Sequence, residues 1–233
     1  DWQWEEAHTE FKHSLELGPT YATANHWYAE YAMTMGRHEE ALTRMKRSQD
    51  LDPLSLIINV AVGWALYCGG RYDEAIEQLR RTVDLDPNYP VTYWILGLLL
   101  RKTGRYELAI TEGEKGVKLS GGSPIMRAAL AHTFAAAGKT KEALEMLDEL
   151  TKLASQKYVS PYFLAGIYVG LGESGHAIEY LEKCYEEHSH WLIYLHIDPS
   201  VDGLRDNRDF QRLLRLVGLP LTSASSMDRV ASS

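Results

Sequence analysis

The hydrophobic pattern of this chain is helical, and it repeats. Apolar residues recur at three- and four-residue steps, as at Ile76, Leu79 and Val83, the spacing that puts them on one helix face. Small residues punctuate these stretches at a constant interval. Alanine stands at Ala7, Ala41, Ala75, Ala109, Ala143 and Ala177, and glycine at Gly36, Gly70, Gly104, Gly138 and Gly172, each series 34 residues apart. Pro19, Pro53 and Pro87 follow in a third series that continues through Gly121 and Ser155. Ala29, Gly63, Gly97, Ala131 and Ala165 form a fourth.

Each mark has a physical reason. The glycine ends one helix, where a left-handed residue is cheap only without a Cβ. The small residue before it and the alanine after it let two antiparallel helices cross closely. Proline cannot continue the helix that precedes it. The pattern predicts helical hairpins of about 34 residues, with full units over 22–55, 56–89, 90–123, 124–157 and 158–191. Residues 1–21 read as the second helix of a further unit, and a solenoid does not normally begin with half a unit. The uncharged stretch 54–70 approaches membrane-spanning length. It contains Asn59 and keeps the repeat register, which predicts a buried helix instead.

Beyond the repeats, Trp191-Leu-Ile-Tyr-Leu leads to an amphipathic segment with Phe210, Leu213, Leu214 and Val217 on one side, stopped by Gly218 and Pro220. This predicts capping helices over 192–220 and a flexible, Ser-rich tail over 221–233.

The register resembles the tetratricopeptide repeat family, whose signature runs Trp-x2-Leu-Gly-x2-Tyr, Ala-x3-Phe, Pro. Tyr93, Leu96, Gly97 and Leu100 match its first half, as do Asn59, Val62, Gly63 and Leu66. Ala7 with Phe11, Ala41 with Met45 and Ala75 with Leu79 match its second. The resemblance spans roughly residues 1–188. It implies an all-α, right-handed superhelical solenoid of hairpins with a C-terminal helical cap. The ending is similar to the C-terminal repeat region of multidomain bacterial regulators and kinases, which implies a regulatory or scaffold part of a larger cytoplasmic protein.

The family layout also implies a concave groove lined by the first helices. Here that names His26, Trp27 and Glu30, then Ile57, Val60, Trp64 and Tyr67, then Trp94, Leu98 and Arg101, and finally His132 and Tyr162. Chaperone-binding members clamp a carboxylate with Lys, Asn and Arg at such positions. His26, Glu30, Val60 and Trp64 stand there instead, so that role is rejected. An apolar surface of Trp64, Tyr67, Trp94 and Leu98, flanked by Glu30 and Arg101, suits a protein or peptide partner. The alternative is that these aromatics pack between neighbouring helices or lie beneath the C-terminal helix. In the third unit, Gly113 and Gly116 sit inside a second helix, where each costs about 1 kcal/mol relative to Ala. A notch is expected there, filled by a large neighbour or marking a bend.

Composition narrows the function classes. Of 233 residues, 45% are hydrophobic and 24% charged, and 32 acidic against 24 basic residues give a net charge of −8. That balance disfavours direct nucleic-acid or acidic-membrane binding. The two cysteines cannot build a disulfide framework. The first residues lack signal-peptide architecture.

Candidate chemistry is sparse. His188, His190 and His196 lie near Glu186, Glu187 and Asp198, but not at the spacing of a zinc motif. His8 and His13 are five apart and do not share a face well. Gly121-Gly122-Ser123-Pro124 lacks the Lys of a phosphate loop and reads as a helix break. No nucleophile elbow or dinucleotide fingerprint is present. The reading is a non-enzymatic interaction module with no cofactor and no metal, binding a protein or peptide in an apolar-aromatic groove. Alternatives are a self-associating module or a metal-dependent enzyme using the 186–198 cluster.

Overall fold

The computed structural model describes residues 2–221 of the chain; the expected tail over 221–233 lies outside them apart from Leu221. Among the described residues every regular element is a helix. The described residues form two compact units, one comprising residues 2–87, 193–198 and 214–221, the other residues 88–192 and 199–213.

The first unit holds α1 (Trp4–Leu17), α2 (Ala22–Thr34), α3 (His38–Leu51), α4 (Leu56–Cys68) and α5 (Tyr72–Leu85). The second holds α6 (Pro90–Lys102), α7 (Tyr106–Leu119), α8 (Pro124–Ala136), α9 (Thr140–Ala154), α10 (Pro161–Gly170) and α11 (Ser174–Glu186). Two 3-10 segments, His190–Tyr194 and Pro199–Leu204, lead to α12 (Arg208–Val217). Consecutive helices pair as hairpins, α2 with α3, α4 with α5, α6 with α7, α8 with α9 and α10 with α11. This is the predicted solenoid of hairpins with a final helix as cap.

The punctuation works as the residue types require. Gly36, Gly70, Gly104, Gly138 and Gly172 all have φ between 72° and 77°. In each case the next residue donates its N–H back to the carbonyl five residues earlier, as Arg37 does to Ala32 and Arg105 to Leu100, at 2.8–2.9 Å. These bonds use carbonyls that the helix end leaves unpaired. Ala41, Ala75, Ala109, Ala143 and Ala177 are buried at the crossings. A Cβ on Gly63 would stand 2.7 Å from Leu79 Cδ2, which shows why that crossing takes a glycine.

The uncharged helix α4 is buried, and its 13 residues span about 20 Å, short of a bilayer. No helix among the described residues is long and apolar enough to cross a membrane. Its polar residue is tied down. The Asn59 amide donates to Pro53 O and Ser55 O, both at 2.9 Å, and its Oδ1 accepts from Gln49 and Gln78. Asn25 makes the equivalent bonds to Pro19 O and Tyr21 O. In both repeats Asn stands where the repeat signature has Trp, and it ties the preceding turn to the helix.

Helix α7 runs unbroken through Gly113 and Gly116, and neighbours fill the expected notch. A Cβ on Gly113 would meet Leu130 at 3.1 Å, and one on Gly116 would meet Tyr93, Trp94 and Pro90 at 3.4–3.5 Å. The glycines therefore admit α6 and the side chain of Leu130. A narrow cleft remains between Trp94, Gly113, Met126 and Leu130.

Candidate functional site: the faces of the first helices

In the first unit, α2 and α4 carry the expected groove residues. Trp27 and Ile57 are open, at 52% and 49% exposure. The remainder turn inward or are capped by chain 193–198. Val60 and Tyr67 are buried among the first-unit helices. Trp64 packs edge-on against Tyr194, with centroids 6.0 Å apart and planes at 87°. The Tyr194 hydroxyl donates to Glu30 at 3.3 Å, and His26 Nε2 lies 3.7 Å from the same carboxylate. Burial, followed by the charge of Glu30, pushes the Tyr194 hydroxyl far above its ordinary value, so it remains a proton donor. His26 also stacks on Trp27, 5.1 Å between centroids. Beneath this cap, His196 packs beside the left-handed Gly36.

In the second unit, the first helices α6, α8 and α10 present a different arrangement. Trp191 enters a socket formed by Trp94, Tyr162 and Phe163. Its ring lies 4.6 Å from Phe163, 6.2 Å from Trp94 and 6.4 Å from Tyr162. The Trp94 Nε1 hydrogen is buried with no acceptor. Segment Pro199–Leu204 packs on α6 and α10. Arg101 donates to Ser200 at 2.8 Å, and Lys102 pairs with Asp202 at 2.5 Å. Asp202 also binds buried Arg205 at 2.7 Å.

His132 is fully enclosed, with Gly166 and Gly170 of α10 against its ring. Burial first, and then the charge of Arg101, hold its pKa well below the usual value, so the ring is neutral. His132 therefore serves as packing.

The expected open apolar surface is thus smaller than the sequence suggests. Of its four residues, Trp64 and Trp94 are half-buried and Tyr67 and Leu98 are buried, whereas among the other expected groove residues Trp27 and Ile57 are exposed. Arg101, His132 and Tyr162 are buried as well: Ser200 meets Arg101, Trp191 meets Tyr162, and Gly166 and Gly170 of α10 close over His132. The sequence pattern puts residues 191–204 in a terminal cap and does not assign them to the first-helix faces. The signal that points there is the aromatic density of Trp191 and Tyr194, next to helices with unpaired aromatic faces.

Among the described residues no group of three or more His, Cys, Asp or Glu is gathered as a metal would need. His188 is exposed with a left-handed φ of 53°, whereas His196 is buried. Cys68 and Cys184 are free and buried, and burial pushes the Cys184 thiol up to about 12.

Sequence models of the tetratricopeptide repeat match residues 63–104, residues 91–121 with 162–187, and residues 126–149. The chain carries tetratricopeptide repeats. No curated protein matches it in sequence. Solved structures share the architecture of these repeats. The Cut9–Hcn1 hetero-tetramer of the APC/C matches with a TM-score of 0.65 at 15% identity, over 93% of this chain and 46% of that one. TTC0263, a thermophilic protein of this repeat class from Thermus thermophilus, matches with 0.59 at 16% identity, over 77% and 98%. The type IV pilus biogenesis factor PilW also gives 0.59, at 20% identity over 80% and 87%. At these identities the likeness is one of fold.

Proposed function

We propose that this chain is a non-enzymatic interaction scaffold that binds a protein or peptide segment on the apolar-aromatic faces of its first helices. The observation that supports this most directly is the exposure of Trp27 and Ile57 on α2 and α4, two first helices that touch each other. Large apolar side chains that fold into no core are typical anchors for a partner, and Trp is enriched among binding hot spots. His26 and Glu30 border this surface and add polar specificity. The 190–204 chain supplies a precedent within the molecule, since aromatic and polar groups of a non-α segment are held by the same kind of face. One structure of similar fold is itself a hetero-tetramer.

The setting we infer is a larger bacterial regulatory protein in a reducing cytoplasm, which the two free cysteines support. The test is partner capture with the full chain against a Trp27→Ala/Ile57→Ala variant. Both residues are half open, so helicity and stability should change little. Loss of a specific partner in the variant supports the reading, and identical captured sets overturn it.

A second reading, self-association, is favoured by the exposed Leu17, Tyr21 and Leu54 in the first unit. A concentration-dependent dimer by light scattering that is lost in Leu17→Ser/Tyr21→Ser would support it. A monomer at all concentrations would remove it.

A further inference from the structure

We propose that Glu30, with the rings of Trp27, Trp64 and Tyr194 in the first unit, forms a subsite for the guanidinium of an arginine side chain carried by the bound segment. This site deepens the interaction reading above and rests on it.

The side chain of Glu30 is only 12% exposed, yet it lacks the partners that a largely buried carboxylate needs. Its Oε2 accepts one long hydrogen bond, from Tyr194 at 3.3 Å. Its Oε1 stands 3.7 Å from His26 Nε2, beyond hydrogen-bond distance, and has no donor among the described residues. That oxygen is not enclosed, since no atom of Glu30 is among the buried polar atoms without a partner. Nor does any Lys or Arg among the described residues pair with this carboxylate, whereas Glu40 and Glu74 of the same unit pair with Arg37 and Arg71. An open oxygen on an otherwise covered carboxylate calls for a cationic donor from outside.

The surroundings select the kind of cation. Trp27 precedes Glu30 by three residues on α2 and so shares its side of the helix. The Trp27 ring is 52% exposed and stacks on His26, the neighbour of Oε1. On the Oε2 side, Tyr194 meets the half-buried Trp64 ring edge-on. A guanidinium donates to carboxylate oxygens in a fixed fork and stacks on aromatic rings, because it is weakly hydrated. An ammonium is a point charge that holds its water more tightly. The aliphatic stem of an arginine covers Trp27 while its head reaches Oε1. The net charge of −8 draws a cationic segment towards the chain.

The test uses the full chain labelled with 15N and N-acetyl-argininamide as probe, with N-acetyl-citrullinamide as its uncharged counterpart. The arginine probe should shift the Trp27 indole resonance saturably and bind at least about tenfold more tightly than the citrulline probe, the factor for a hydrogen bond between charged groups. Glu30→Gln should weaken arginine binding by the same factor, and N-acetyl-lysinamide should bind less tightly than the arginine probe. An unmoved Trp27 indole in wild type, equal affinity for the arginine and citrulline probes, or unchanged affinity in folded Glu30→Gln overturns the proposal. A lysine probe as tight as the arginine probe overturns the assignment to a guanidinium. Should Glu30→Gln fail to fold, the ratio of arginine to citrulline affinity in wild type decides. Partner capture separates this site from the reading beneath it. Loss of the partner in Trp27→Ala/Ile57→Ala, with no arginine binding in wild type, leaves the interaction face standing and removes the subsite. Arginine binding that depends on Glu30, with identical captured sets, keeps the cation site and removes the partner reading.

Discussion

The two units use the same first-helix register and arrive at different surfaces. In the first, the capping aromatic Tyr194 is tied to Glu30 by a hydrogen bond, and two apolar side chains on α2 and α4 stay open. In the second, the capping aromatic Trp191 packs against the rings of Trp94, Tyr162 and Phe163, and further along Arg101 and Lys102 bond Ser200 and Asp202. The first cap is tied through the Tyr194 hydroxyl, and the second combines the Trp191 ring contacts with the bonds to Ser200 and Asp202. Equal repeat positions therefore carry different duties, set by which residues of the 190–204 chain reach them.

Enlarging a glycine in each unit tests this difference most severely. Gly170→Ala in α10 should produce the larger loss, because its Cβ would stand 2.6 Å from the His132 ring and 3.0 Å from the His132 carbonyl. Ring and backbone yield little, so a cost at the upper end of about 1–3 kcal/mol is expected by denaturant titration. Gly63→Ala should cost less, since the atom it meets is the end of the Leu79 side chain and an alanine gains roughly 1 kcal/mol in helix propensity. If Gly63→Ala were the more damaging, the picture of a rigid second-unit core around His132 would fail.

Acid should come next in size. His132 is held neutral in the folded chain with its pKa below the usual value, so the unfolded chain binds the extra proton. Stability should therefore be constant above about pH 6.5 and fall below it, approaching about 1.4 kcal/mol per pH unit while only the unfolded state is protonated. Replacing His132 with Gln should flatten the stability–pH profile in that window. An unchanged slope would remove His132 as the cause.

Smaller still is the loss expected on cutting the tie in the first unit. Tyr194→Phe keeps the edge-on contact with Trp64 and deletes the hydrogen bond to Glu30. A cost of about 0.5–1.5 kcal/mol is expected from thermal unfolding. No measurable change would mean that the Tyr194 ring alone holds the cap. The smallest effect on stability belongs to the open pair, where Trp27→Ala should stay within roughly 0.5 kcal/mol of wild type by the same assay. A larger loss would reassign Trp27 to packing and weaken its role as an anchor.

The repeat architecture is legible from residue types because its determinants are local. A glycine with φ near 75°, an alanine at a helix crossing and a proline beyond a helix end each act within a few residues, so their 34-residue phase maps directly onto hairpins. The same locality explains why Gly113 and Gly116 mark a special packing site in α7. Its filling by Leu130 and by the backbone of α6 depends on contacts that no local pattern records.

Residue order alone thus dictates the helices and their pairing, since helical period and steric limits at glycine leave little freedom, whereas the outward face of each first helix is only what the family resemblance implies. What meets that face is settled by the folded chain. Tyr194 reaching Glu30 joins residues 164 apart in sequence, and Arg101 reaching Ser200 joins residues 99 apart. Such pairings follow from the path of the whole chain and from which apolar surface is nearest when it closes. That is why Trp27 and Ile57 remain in solvent, while Tyr67, Leu98 and Tyr162, named by the same family layout, lie inside.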